Sequence, residues 1–124
     1  MSRPSPIQFD RTDVEAKLLA AIRDMRDRML AEFEAVPVYA RHYQCWQEKW
    51  EMLLDGNWVH WSPAELLGAR SRRLRGLARD ALNRLAMQGY VEVYADAGRA
   101  RYVRLKAEGE AHVVPEAQEA EAGS

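Results

Sequence analysis

The chain has 124 residues, 48% apolar and 30% charged, with one cysteine, three histidines and a net charge of −1. That is one domain's worth, able to bury about two thirds of its surface around a single core. One cysteine excludes an internal disulfide framework and a cysteine-built zinc site, no run approaches the length of a membrane helix, and Met1 to Asp10 lack the apolar run of a signal peptide.

Residues 1–11 hold two prolines and two serines and read as a flexible arm. Thr12 and Glu15 fit a capping box. From there Val14, Leu18, Ile22, Met25, Met29, Phe33 and Val36 recur at steps of three and four, one apolar stripe on a helix that Pro37 ends. This stripe must be buried, either by folding back on the domain or by pairing with a second chain, so residues 12–37 are a candidate dimerisation element. A second helix is expected from Tyr39 to Leu54, with Tyr39, Tyr43, Trp46, Trp50 and Leu53 as its stripe. Asp55-Gly56-Asn57 is a stop and turn. Trp58-Val59-His60-Trp61 reads as an isolated short strand. Ser62-Pro63-Ala64-Glu65 is a strong helix start, with a serine cap, proline at the first position and a glutamate closing the box. That helix is expected to reach about Arg70.

The next boundary has two readings. A long helix starts at Ser71, or a turn spans 71–75 and the helix starts near Gly76. In both, Leu77, Ala81, Leu82 and Leu85 continue the stripe to Gln88, and Gly89 stops it. Tyr90 to Ala95 and Arg99 to Lys106 alternate around Asp96-Ala97-Gly98, which predicts a β-hairpin with Arg101, Val103 and Leu105 on one face. A domain boundary is expected near 109. Residues 110–124 form an acidic tail, expected to be disordered beyond Pro115.

The small net charge hides an asymmetry. Residues 1–65 carry −3, residues 66–106 carry +7 and residues 107–124 carry −5. Nine of the ten cations in the central block are arginine. Arginine's planar fork suits phosphates and guanine edges; the plainer reading of such a run is a solvated helix face.

Helix, short strand, helix, helix and hairpin resembles a winged helix-turn-helix, particularly small bacterial regulators of the MarR and PadR kind. The stretch Ser62 to Gly109 carries the resemblance. It contains Glu65-Leu66-Leu67, then Leu82-x-x-Leu85-x-x-x-Gly89-Tyr90-Val91, then Gly98-Arg99, Tyr102-Val103-Arg104-Leu105 and Glu108-Gly109. Arg72, Arg73, Arg75 and Gly76 depart from the Ser/Thr that often opens the recognition helix in such relatives. The resemblance implies a mainly α fold with a small β-hairpin wing, a winged helix-turn-helix over residues 38–109 with an N-terminal helical extension. It implies duplex DNA binding, with the second helix in the major groove and the wing on the backbone or minor groove.

A helical wheel agrees independently. Leu74, Leu77, Ala78, Ala81 and Leu85 share one face, while Arg72, Gly76, Arg79 and Asn83 form the opposite stripe, flanked by Arg73 and Arg75. Arg73, Arg75 and Arg79 are candidates for base edges. Arg70, Ser71 and Arg72 are candidates for phosphates, and Arg99 and Arg101 for wing contacts. Arg84 and Arg104 read as ordinary surface charges. Gly76 either breaks the helix or lets a ligand approach its backbone closely. Four tryptophans, Trp46, Trp50, Trp58 and Trp61, form a dense aromatic region: core packing, a site for a small aromatic effector, or a subunit interface. His42 and Cys45 lack a third orienting group, so no enzyme activity, metal or cofactor is expected. The expected function is transcriptional regulation by a cytoplasmic homodimer. A winged-helix protein-interaction module and a DNA-architectural protein are the alternatives.

Overall fold

The computed structural model describes residues 11–44 and 47–113. The order is α1 (Arg11–Ala35), α2 (Val38–Gln44), α3 (Glu48–Gly56), β1 (Val59–His60), α4 (Pro63–Leu67), α5 (Arg72–Met87), β2 (Val91–Asp96), β3 (Arg99–Leu105) and α6 (Ala107–His112). The fold is mainly helical, with one three-stranded antiparallel sheet ordered β1-β3-β2.

The stripe of α1 folds back on the domain. Val14, Leu18, Leu19 and Ile22 are buried with Leu53 of α3, Val59 of β1, Leu82 and Leu85 of α5, and Val91 and Val103 of the sheet. Met25, Met29 and Phe33 pack at the edge of the same core. The expected capping box does not use Glu15: its carboxylate sits 3.0 Å from Arg84 of α5 and ties the two helices together. The last turn of α1 has no basic residue of its own. Arg41 of α2 supplies one, donating to the Glu34 and Val36 carbonyls at 2.8 and 3.0 Å. A cation there complements the negative end of the helix dipole.

The second helix is two helices, not one. Gln47 is extended (φ −85°, ψ 132°) and starts α3 afresh. The periodic stripe is continuous in sequence but not in space. Trp50 and Leu53 enter the core, while Tyr39 and Tyr43 on α2 stay exposed. Turning the chain at Gln47 lets α3 meet the core without burying α2.

The strand at Val59–His60 is not isolated. It pairs with β3 at Val103 and Tyr102, far along the chain. The Ser62 start holds: its Oγ accepts from the Glu65 N–H at 3.3 Å. The helix ends earlier than expected, at Leu67, because Gly68 takes the left-handed conformation (φ +67°) and the Gly68 and Ala69 N–H groups close back onto Ala64 and Pro63. Of the two readings of the next boundary, the long helix is correct. Ser71 caps α5, accepting from the Leu74 N–H at 3.1 Å, and Gly76 lies within the helix rather than breaking it.

Ala97 (φ +53°) and Gly98 (φ +77°) form the tight turn of the hairpin. The pairing shifts by one residue between Tyr94/Tyr102 and Ala95/Ala100, leaving Arg101 as an unpaired bulge. Strict alternation would have put Arg101 on the face of Val103 and Leu105. The bulge turns Ala100 toward the core instead and leaves Arg101 exposed. Beyond the expected boundary at 109, α6 continues to His112. Glu110 pairs with Arg26 of α1 at 2.6 Å, and His112 stacks on Tyr90 at 4.3 Å. Gly109 is required here, since a Cβ would collide with the Tyr90 carbonyl. Arg11, expected at the end of the N-terminal arm, instead opens α1; residues 1–10 and the rest of the acidic tail lie outside the described residues.

Candidate nucleic-acid interface

The amphipathic split of α5 arises from its stripe. Ala78, Ala81, Leu82 and Leu85 are buried, and Arg72, Arg73, Arg75, Arg79, Asp80 and Asn83 are exposed on the outer side. Burying one face against α1 and the sheet therefore fixes which residues face outward.

The first turn of α5 contains Arg72, Arg73 and Arg75 and no acid. Cations at a helix N-terminus oppose the dipole, each by about 0.3–1 kcal/mol when exposed. Nothing nearby relieves this. Among the described residues, no ion pair or side-chain hydrogen bond holds Arg70, Arg72, Arg73, Arg75, Arg79 or Arg99. Arginines elsewhere are mostly satisfied. Arg23, Arg26 and Arg84 hold carboxylates, Arg41 holds carbonyls, and Arg104 holds Glu92 at 2.7 Å while lying 4.5 Å over the Trp58 ring. The first turn of α5 thus breaks the usual charge rule, with no ion pair among the described residues to compensate it.

The candidate residues separate into four places. Arg72, Arg75 and Arg79 converge with Gly76, Trp61 and Pro63 on one groove of about 290 Å³. Arg73 and Asn83 are exposed on α5 outside that lining. Arg70 lies in the α4–α5 connection and lines a different groove, of about 560 Å³, with Met25, Arg28 and Met29 of α1. Arg99 stands at the hairpin tip, opposite Asp96 in the pairing.

Arg101 is engaged internally. It contacts Glu48 of α3 at 3.1 Å and Asp96 at 3.5 Å. Glu48 also accepts from the Tyr102 hydroxyl at 2.6 Å. Burial, and then the hydrogen bond to Glu48, push the Tyr102 phenol up to about 12. This cluster anchors the start of α3 to the sheet.

The described tryptophans, Trp50, Trp58 and Trp61, do not form one patch. Trp50 is buried against Phe33, with ring centroids 5.8 Å apart. Trp58 meets Tyr94 edge-on at 6.1 Å. Trp61 borders the arginine groove. Trp46 and Cys45 lie outside the described residues, so an effector site there and the His42–Cys45 pairing are not seen. The larger groove has none of the described tryptophans among its lining residues. Sequence reasoning missed Trp61 and Pro63 as neighbours of the arginines. The available signal was their position: Trp61 directly precedes the Ser62 cap, where the chain enters α4.

Among the described residues no group of histidine, cysteine and acidic side chains could hold a metal ion, and no helix is long and apolar enough to cross a membrane. Compared with protein-family models, curated proteins and solved structures, the chain finds no match.

Proposed function

We propose that this chain is a winged helix-turn-helix protein that binds duplex DNA as a transcriptional regulator. In this reading α5 enters the major groove and the turn between β2 and β3 is the wing. The observation that carries it is the set of unpaired arginines on the outer face of α5, three of them crowded into a first turn without an acid. The element order helix, strand, helix, helix, hairpin, with strands ordered β1-β3-β2, supports the winged arrangement. Arg73 and Asn83 would read base edges, and Arg70 and Arg99 would hold phosphates on either side. Arg101, tied to Glu48 and Asp96, drops out of the wing contacts.

Two copies reading two half-sites remains the proposed assembly, with cytoplasmic action. Val38 (76% exposed) and Tyr39 (82% exposed) on α2 are apolar surface that a second copy would cover. The same surface favours the alternative, a protein-interaction module. Titration of a labelled mixed-sequence duplex separates the two. The DNA reading expects binding that the Arg73→Ala/Arg79→Ala double variant loses while keeping its helical circular dichroism. Equal binding by both proteins, or none by either, overturns it.

A further inference from the structure

The groove lined by Trp61, Pro63, Arg72, Arg75, Gly76 and Arg79 has a composition that selects its occupant. Its charged lining is entirely cationic, and its neutral walls are one indole ring and one proline. A free inorganic anion would use the guanidiniums and leave Trp61 idle. An apolar ligand would leave three unpaired guanidiniums facing it. A ligand that alternates anionic and apolar units satisfies both, and a nucleic-acid strand does so at every nucleotide.

Gly76 adds a second observation. A glycine inside a helix costs about 1 kcal/mol relative to alanine. Here no internal packing compensates, because an added Cβ would meet nothing within 4 Å. The glycine therefore keeps open a space on the groove side that the protein itself does not fill. The groove holds about 290 Å³, about ten waters' worth of ligand. From Arg72 to Arg79 the helix advances about 10 Å, room for one sugar and its flanking phosphates.

We infer that this groove seats one sugar–phosphate unit of a DNA strand: Arg72, Arg75 and Arg79 hold the flanking phosphates, Trp61 packs on the deoxyribose, and Gly76 lets the unit approach the helix backbone. The inference rests on the DNA reading above and sharpens it. Arg75 and Arg79 move from base edges to the backbone, which leaves Arg73 and Asn83 on α5 to discriminate sequence. Trp61 becomes a binding residue rather than core filling or an effector wall.

The test compares wild type with Gly76→Ala, Gly76→Leu, Trp61→Phe and Trp61→Ala in the full chain, by anisotropy with a 20-base-pair duplex and by thermal melting. The Gly76 series is expected to melt at or above wild type, since helix propensity improves into open space. Its affinity should fall with side-chain size, by about tenfold at leucine, because the new atoms occupy the strand's place. Trp61→Ala should weaken binding about tenfold with the salt dependence unchanged, as loss of an apolar contact requires. Trp61→Phe, which keeps a flat ring, should retain most of the affinity. If Gly76→Leu is folded and binds like wild type, the groove assignment fails while the DNA reading stands. If wild type binds no duplex at low salt, both fail together.

Discussion

Leu18 tests how α1 is used. Its side chain is 0% exposed and sits among Ile22, Leu82, Leu85 and Val103 in the one core. Replacing it with alanine removes three buried carbons from a site walled by helices and sheet, which cannot collapse freely. Leu→Ala changes of this kind cost about 3–5 kcal/mol. Domains of this size have about 5–15 kcal/mol of total stability, so the variant should remain folded at 25 °C with a much reduced margin. In urea, with a slope of about 1.5–2 kcal/mol/M, the midpoint should fall by about 2 M. Leu54, on the neighbouring α3 and 45% exposed, is the control: Leu54→Ala should cost about 1 kcal/mol or less. A loss below about 1 kcal/mol for Leu18→Ala, or equal losses at the two sites, would refute the packing of α1 into its own domain.

Other outcomes follow from single contacts. Ala97 occupies the left-handed region at the hairpin turn, so Ala97→Asn should stabilise by about 0.5–1 kcal/mol, read as a higher melting temperature. Ser71→Ala removes the α5 cap and should cost about 1 kcal/mol in urea unfolding. The Tyr102 phenol titrates near 12 in the fold, against about 10 when unfolded. The neutral form is favoured by folding, so the stability it contributes is full below pH 10 and is lost as pH rises toward 12. Melting temperatures of wild type should therefore drop more steeply over that window than those of Tyr102→Phe; parallel curves would contradict the burial of this hydroxyl and its bond to Glu48.

The parts of the fold legible in sequence are those settled by neighbours along the chain. Ser62 with Glu65 gave the start of α4, the alternation around Gly98 gave the hairpin, and the leucine and alanine stripe of α5 already placed Arg72, Arg79 and Asn83 on its outer side. The parts that were not legible depend on distant residues. Nothing in the periodicity of 39–54 marks the turn at Gln47, because only the core decides that Trp50 and Leu53 enter while Tyr39 does not. The bulge at Arg101 is set by pairing with β2 and by Ala100 reaching the core, so Arg101 meets Glu48 across 53 residues. The propensity penalty at Gly76 leaves two helix starts open in the sequence, one at Ser71 and one near Gly76. The Ser71 cap and the buried face of α5 outweigh about 1 kcal/mol of propensity. Trp61 is close to the other tryptophans in sequence, but the chain path through α4 brings it beside the arginines instead.

The central claim is that the unpaired arginines of α5 and the hairpin tip meet DNA phosphates. The most direct measurement is the salt dependence of wild-type duplex affinity. Each phosphate neutralised contributes a slope of about −0.9 in log K against log salt. With Arg70, Arg72, Arg75, Arg79 and Arg99 on the backbone the slope should be about −4.5 for each copy bound, and it should flatten by about one per copy when Arg79 is replaced by alanine. An affinity that is independent of salt, or a slope unchanged by Arg79→Ala, would contradict the account.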